Sequence, residues 1–88
     1  MKDRQGRARI LTRIDRLADG NPGNHRNLGV GIFELKIDFG PGYRVYYVNR
    51  NGVVIVLLCG GDKSTQVKDI RRARALAEML DIDEEDRR

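Results

Sequence analysis

Eighty-eight residues, 40% apolar and 34% charged, are enough for one small domain with a thin core. No apolar run is long enough to cross a bilayer, and the N-terminus lacks a signal-peptide pattern. Cys59 is the only cysteine, which excludes an internal disulfide and a cysteine metal cage and fits a reducing cytoplasm. The net charge of +4 is unevenly spread: residues 81–88 carry five acids and two arginines, or −3, so residues 1–80 carry +7. A basic body with a short acidic tail points to an anionic partner, nucleic acid first, with a solubility device as the bland alternative.

Between Arg4 and Ala18 the apolar residues Ile10, Leu11, Ile14, Leu17 and Ala18 recur at helical spacing, with Arg7, Arg9, Arg13 and Arg16 on the remaining surface. Gly20, Asn21 and Pro22 stop this helix. Residues 20–29, "GNPGNHRNLG", read as a polar loop. From Ile32 to Asp38, Phe33, Leu35 and Ile37 alternate with Glu34, Lys36 and Asp38, which predicts a strand with one buried and one wet face. "GPG" at 40–42 turns the chain into a second strand, Tyr43 to Asn49, and Asn51-Gly52 is a strong hairpin signal. The third strand, Val53 to Cys59, is apolar throughout, so it is expected at the centre of the sheet and covered on both faces.

Gly60 and Gly61 are expected to end that strand, with Ser64 or Thr65 capping a second helix. Its apolar stripe is Val67, Ile70, Ala73, Leu76, Ala77 and Leu80, and Arg71 lies off the stripe. The tail from Asp81 onward is expected to fray. The fold class is therefore α+β, a small antiparallel sheet of three strands packed against an N-terminal and a C-terminal helix, in a single domain over residues 1–88.

Alternation along the second strand puts Arg44 and Tyr46 on one face and Tyr43, Val45 and Tyr47 on the other. A guanidinium beside an aromatic ring suits a nucleotide, since arginine grips a phosphate while the ring stacks on a base. The competing structural reading pairs Arg44 with Glu34 or Asp38 across the sheet. Lys63 follows the third strand at the mouth of the second helix, where Gly60 and Gly61 would let a ligand approach and the helix N-terminus would favour an anion. His25 reads as a solvated loop residue and Cys59 as a buried one. No histidine–carboxylate cluster suggests a metal, and no nucleotide-binding glycine motif is present.

The segments "ELKIDFGPGYRVYY" and "LLCGGDKSTQVKDIRRA", with "RIDRLADGNPG" ahead of them, resemble the HigB-like addiction-module killer proteins of the RelE/ParE toxin superfamily, over roughly residues 6–80. The resemblance implies a cytoplasmic toxin of a toxin–antitoxin pair, with a helix-turn-helix antitoxin as partner and no membrane association. RelE-type members cut mRNA on the ribosome without metal or cofactor. On that reading Arg44 clamps the scissile phosphate, Tyr46 stacks on or orients the nucleotide, and Lys63 neutralises charge. Lys36, Arg71 and Tyr47 (the last if a bulge shifts the register) are further RNA contacts. Gln66 and Asp69 match the second segment and read as helix-start and packing residues. Arg44 is expected to face solvent.

Two other readings stay open: a ParE-like inhibitor of DNA gyrase that cuts nothing, and an inactive remnant that only binds its antitoxin. Family members usually begin with a further strand, whereas this sequence opens inside the first helix. That difference predicts an exposed sheet edge, to be covered by an antitoxin segment or a second copy of the chain.

Overall fold

The computed structural model describes residues 2–50 and 54–86, with side chains to residue 80. Helix α1 spans Arg4–Ala18. Asp3 caps it, its carboxylate accepting the Gly6 N–H at 2.9 Å, and Gly20 closes it at φ +87°. Four strands follow: β1 His25–Gly29, β2 Ile32–Ile37, β3 Tyr43–Arg50 and β4 Val54–Asp62. A short 3₁₀ turn at Lys63–Thr65 leads into α2, Gln66–Asp86. Every neighbouring pair is antiparallel and the sheet order is β1-β2-β3-β4. The Asn51-Gly52 hairpin turn lies outside the described residues. Among those described, no helix is long and apolar enough to cross a membrane.

A helix covers each face of the sheet. Leu17 of α1 packs with Leu35, Ile37, Val45 and Tyr47, and Ala77 of α2 packs with Ile32 and Val48 on the opposite face. Burying side chains of this size stabilises the fold by about 1.5–3 kcal/mol each. Phe33 and Tyr47 stack at 5.5 Å within the first cluster. Arg13, expected on the open helix surface, is instead a clamp. Its guanidinium donates to the carbonyls of Lys36 at 2.6 Å and of Pro22 and Asn24, each at 2.9 Å, so it holds α1, the following loop and β2 together.

Three expectations from the sequence are corrected. Residues 25–29 form β1 rather than loop. This edge strand buries only part of Leu28, so it carries no apolar alternation to read. It turns into β2 through Gly29, Val30 and Gly31, all at positive φ. The apolar third strand, β4, is an edge strand and not the central one, and it runs through Gly60 and Gly61 to Asp62. Its apolar run does not mark full burial: Ile55 packs on the α1 side and Val56 and Leu58 on the α2 side, each only in part, while Val54 and Leu57 stay exposed. A register shift between Tyr46 and Tyr47 leaves Leu58 unpaired and turns β4 at this point. The face of β2 that carries Glu34 is not wet, because α2 covers it and Glu34 is fully buried. Helix α2 continues through the acidic segment to Asp86.

All three tyrosines hold their protons above the ordinary phenol range. Burial raises Tyr46 and Tyr47, the Glu34 charge adds to the effect at Tyr46, and a hydrogen bond to Asp3 (2.7 Å) raises Tyr43. Because the folded pKa exceeds the unfolded one, this stabilisation is intact below pH ~10 and is lost as pH climbs through the raised values. Alkaline titration should therefore give a tyrosinate rise from the buried Tyr46 and Tyr47 that coincides with loss of near-ultraviolet circular dichroism, separate from that of the less buried Tyr43. Ionisation of all three tyrosines by a still-folded chain would contradict this placement.

Candidate functional site

Arg44 and Lys63 meet at one end of the sheet. They line an open cavity of 330 Å³ together with Asp38, Phe39, Gly40, Pro41 and Gly42. Gly42, at φ +81°, is the hinge between them. A β-carbon there would stand 3.4 Å from both Arg44 Nη1 and Lys63 Cβ, so the glycine lets the guanidinium and the base of Lys63 close up. Lys36 is the cross-strand partner of Arg44 and shares its face of the sheet. Two cations directly opposite each other repel in the absence of an anion.

Arg44 is not solvent-facing, contrary to expectation: it is 8% exposed, on the face of the sheet that α2 packs against. Nη1 donates to the Tyr43 carbonyl at 3.0 Å, while the buried Nε has no hydrogen-bond partner. The structural alternative, an ion pair with Glu34 or Asp38, is not formed. Glu34 lies opposite Tyr46 and is taken by Arg26 (3.3 Å) and by Gln66 Nε2, which donates to Oε2 at 2.7 Å. Asp38 accepts a long bond of 3.5 Å from Asn24.

Tyr46 does share the Arg44 face, but it has no exposed surface, and its hydroxyl lies unbonded in the polar layer under α2. In this conformation it has no ring face to offer a base. Tyr47 sits on the opposite face, 1% exposed and stacked on Phe33, and the register shift in β4 does not bring it out. Lys63 is exposed and Lys36 half-buried, whereas Arg71 is exposed on α2 and does not line the cavity.

The glycine pair serves the chain itself. A β-carbon at Gly60 would crowd the Arg44 carbonyl at 3.1 Å, and one at Gly61 would overlap the Asp69 carboxylate. The start of α2 is likewise closed from within. Asp62, rather than Ser64 or Thr65, caps the turn, accepting the Ser64 N–H at 2.8 Å, and the Thr65 hydroxyl donates to Asp69 at 2.5 Å. An anion here would be held by side chains and not by the helix terminus. Burial, and after it the Asp69 charge, push the Cys59 thiol up, away from the reactive thiolate, and the thiol donates to the Asp69 carbonyl at 3.6 Å.

Glu34, which the sequence offers as a wet-face residue or a partner for Arg44, is instead a buried anchor. Together with Gln66 it ties β2 to the first turn of α2, and so positions Lys63 three residues earlier. The signal was present: α2's apolar stripe required a sheet face to cover, and Glu34 lies on that face.

The arrangement defines a small α+β protein with an open cavity at which Arg44 and Lys63 meet. Residues 2–80 match the family described as "Phage derived protein Gp49-like (DUF891)", and the chain belongs to that toxin-like family. A Haemophilus influenzae protein described only as uncharacterized is 54% identical over 82 residues, covering 93% of this chain and 83% of the relative. No solved structure matches the chain significantly.

Proposed function

We propose that this protein is the toxin of a toxin–antitoxin pair and cleaves mRNA, with the ribosome as the setting and a helix-turn-helix antitoxin as its partner. The observation that carries the reading is Arg44: a buried guanidinium with no carboxylate partner, beside Lys63 and opposite Lys36, at an open cavity. Desolvation strengthens such a cation's pull on a phosphate. In the reaction the ribose 2′-hydroxyl gives its proton to water as its oxygen attacks the adjacent phosphorus, the bond to the 5′-oxygen breaks, and that oxygen takes a proton from water. A 2′,3′-cyclic phosphate and a 5′-hydroxyl result. Arg44 holds the non-bridging oxygens and Lys63 offsets the added negative charge, while Lys36 supports Arg44 from the neighbouring strand. Catalysis then rests on positioning and charge stabilisation. Tyr46 acts through packing, as the floor of the strand that carries Arg44.

Primer extension on a defined mRNA in a bacterial translation reaction tests this. Discrete cuts are expected with the wild type and none with Arg44→Met. Intact mRNA with an active translation system overturns the reading. A supercoiling assay then distinguishes a gyrase inhibitor from an inactive antitoxin binder.

A further inference from the structure

We infer that the groove between α1 and the end of β2 is a second phosphate-binding track, holding single-stranded RNA beyond the nucleotide at the Arg44–Lys63 cavity. This rests on the RNA reading of that cavity and extends it to the length of strand bound. The groove encloses 340 Å³. Arg9, Thr12, Arg13 and Arg16 form its helical wall, at the i, i+3, i+4, i+7 spacing that lines up one face of a helix. With Lys36, its lining holds four cations against one carboxylate, Asp38, for a formal +3.

The cations are differently committed. Arg13 is spent on three carbonyls and contributes only its charge. Arg9 and Arg16 are exposed and form no ion pair among the described residues. The Arg9 guanidinium lies 4.4 Å over the Phe39 ring, which leaves its N–H edge free to grip a phosphate. Phe39 and Asp38 line both this groove and the Arg44 cavity, so the two adjoin at these residues. A row of cations that leads away from the Arg44 cavity suits the backbone of an unpaired strand, which a positively charged groove can track.

Fluorescence anisotropy with a non-cleavable 2′-O-methyl uridine trinucleotide and nonanucleotide tests the inference. The variant is the Arg9→Gln/Arg16→Gln double substitution, which removes no hydrogen bond within the protein. Its folding is checked by circular dichroism. The double variant should bind the nonanucleotide about tenfold more weakly, with the slope of log K against log salt flatter by about 0.7 for each lost phosphate contact. Trinucleotide binding should stay unchanged. Equal losses on both lengths, or none on either, overturn the second track while leaving the Arg44 site in place. No binding of either length by the wild type overturns it as well. Poly-glutamate displacing the nonanucleotide at equal charge concentration would also overturn it, in favour of an acidic protein segment. Length-dependent binding through α1 with intact mRNA in translation would instead leave the groove standing and remove the cleavage reading.

Discussion

Arg44→Met should lower mRNA cleavage by about 10²–10³-fold, the usual loss when one charge-stabilising donor is removed, while the melting curve barely moves. Two effects offset each other in stability. The substitution ends the cost of keeping a buried cation opposite Lys36, with its Nε unbonded. It also removes a positive charge from a layer that holds the buried carboxylates Glu34 and Asp69. Methionine keeps most of the packing of the arginine stem, so the net change should stay within about 1 kcal/mol. A loss of about 3–5 kcal/mol, as when a buried ion pair is broken, would make Arg44 a structural residue. Cleavage assays and thermal melts on the same preparation settle which description holds.

Much of this fold is legible in residue patterns. Helix α1 carries a period that matches its buried face, β2 and β3 alternate as strands do, and Gly20 and "GPG" punctuate them. The pattern does not show that both faces of β2 and β3 are buried, and it fails where burial is absent. Strand β1 is held by backbone pairing to β2 and by Arg26 on Glu34, neither of which leaves an apolar period. Strand β4 is apolar throughout although it is an edge strand and Val54 and Leu57 stay exposed, so a run of that kind does not report position in the sheet. The candidate site splits along the same line. Arg44 and Lys63, which the family resemblance pairs, lie together, but whether a strand residue faces water depends on what α2 covers. That cover turned Tyr46 and Glu34 from surface candidates into buried ones. The α1 groove escapes any local motif, since Arg9 and Phe39 come from separate elements and meet only through packing.

Glu34→Ala should cost about 3 kcal/mol, combining a lost buried side chain with stranded hydrogen-bond partners. For a domain of this size that lowers the melting temperature by roughly 10–20 °C. Gln66 would lose its 2.7 Å acceptor beneath the helix, and the Tyr46 hydroxyl would face a void where the carboxylate had been. Arg26 contributes little to this loss: at 47% exposure it can return to water, and Arg26→Ala should cost less than about 1 kcal/mol. Glu34→Gln keeps the volume and an oxygen for Gln66, so it should fall between the two. The order of melting temperatures, Arg26→Ala above Glu34→Gln above Glu34→Ala, is therefore the discriminating result. If Arg26→Ala proved as costly as Glu34→Ala, the exposed ion pair would be the stabilising contact and not the buried anchor to α2. The anchor also makes a functional prediction, because it fixes the first residue of α2 while Lys63 lies three residues before it. Glu34→Gln should therefore retain most of the cleavage activity at temperatures where it is fully folded. Glu34→Ala should lose activity below its melting transition, as the start of α2 loosens and Lys63 drifts from Arg44.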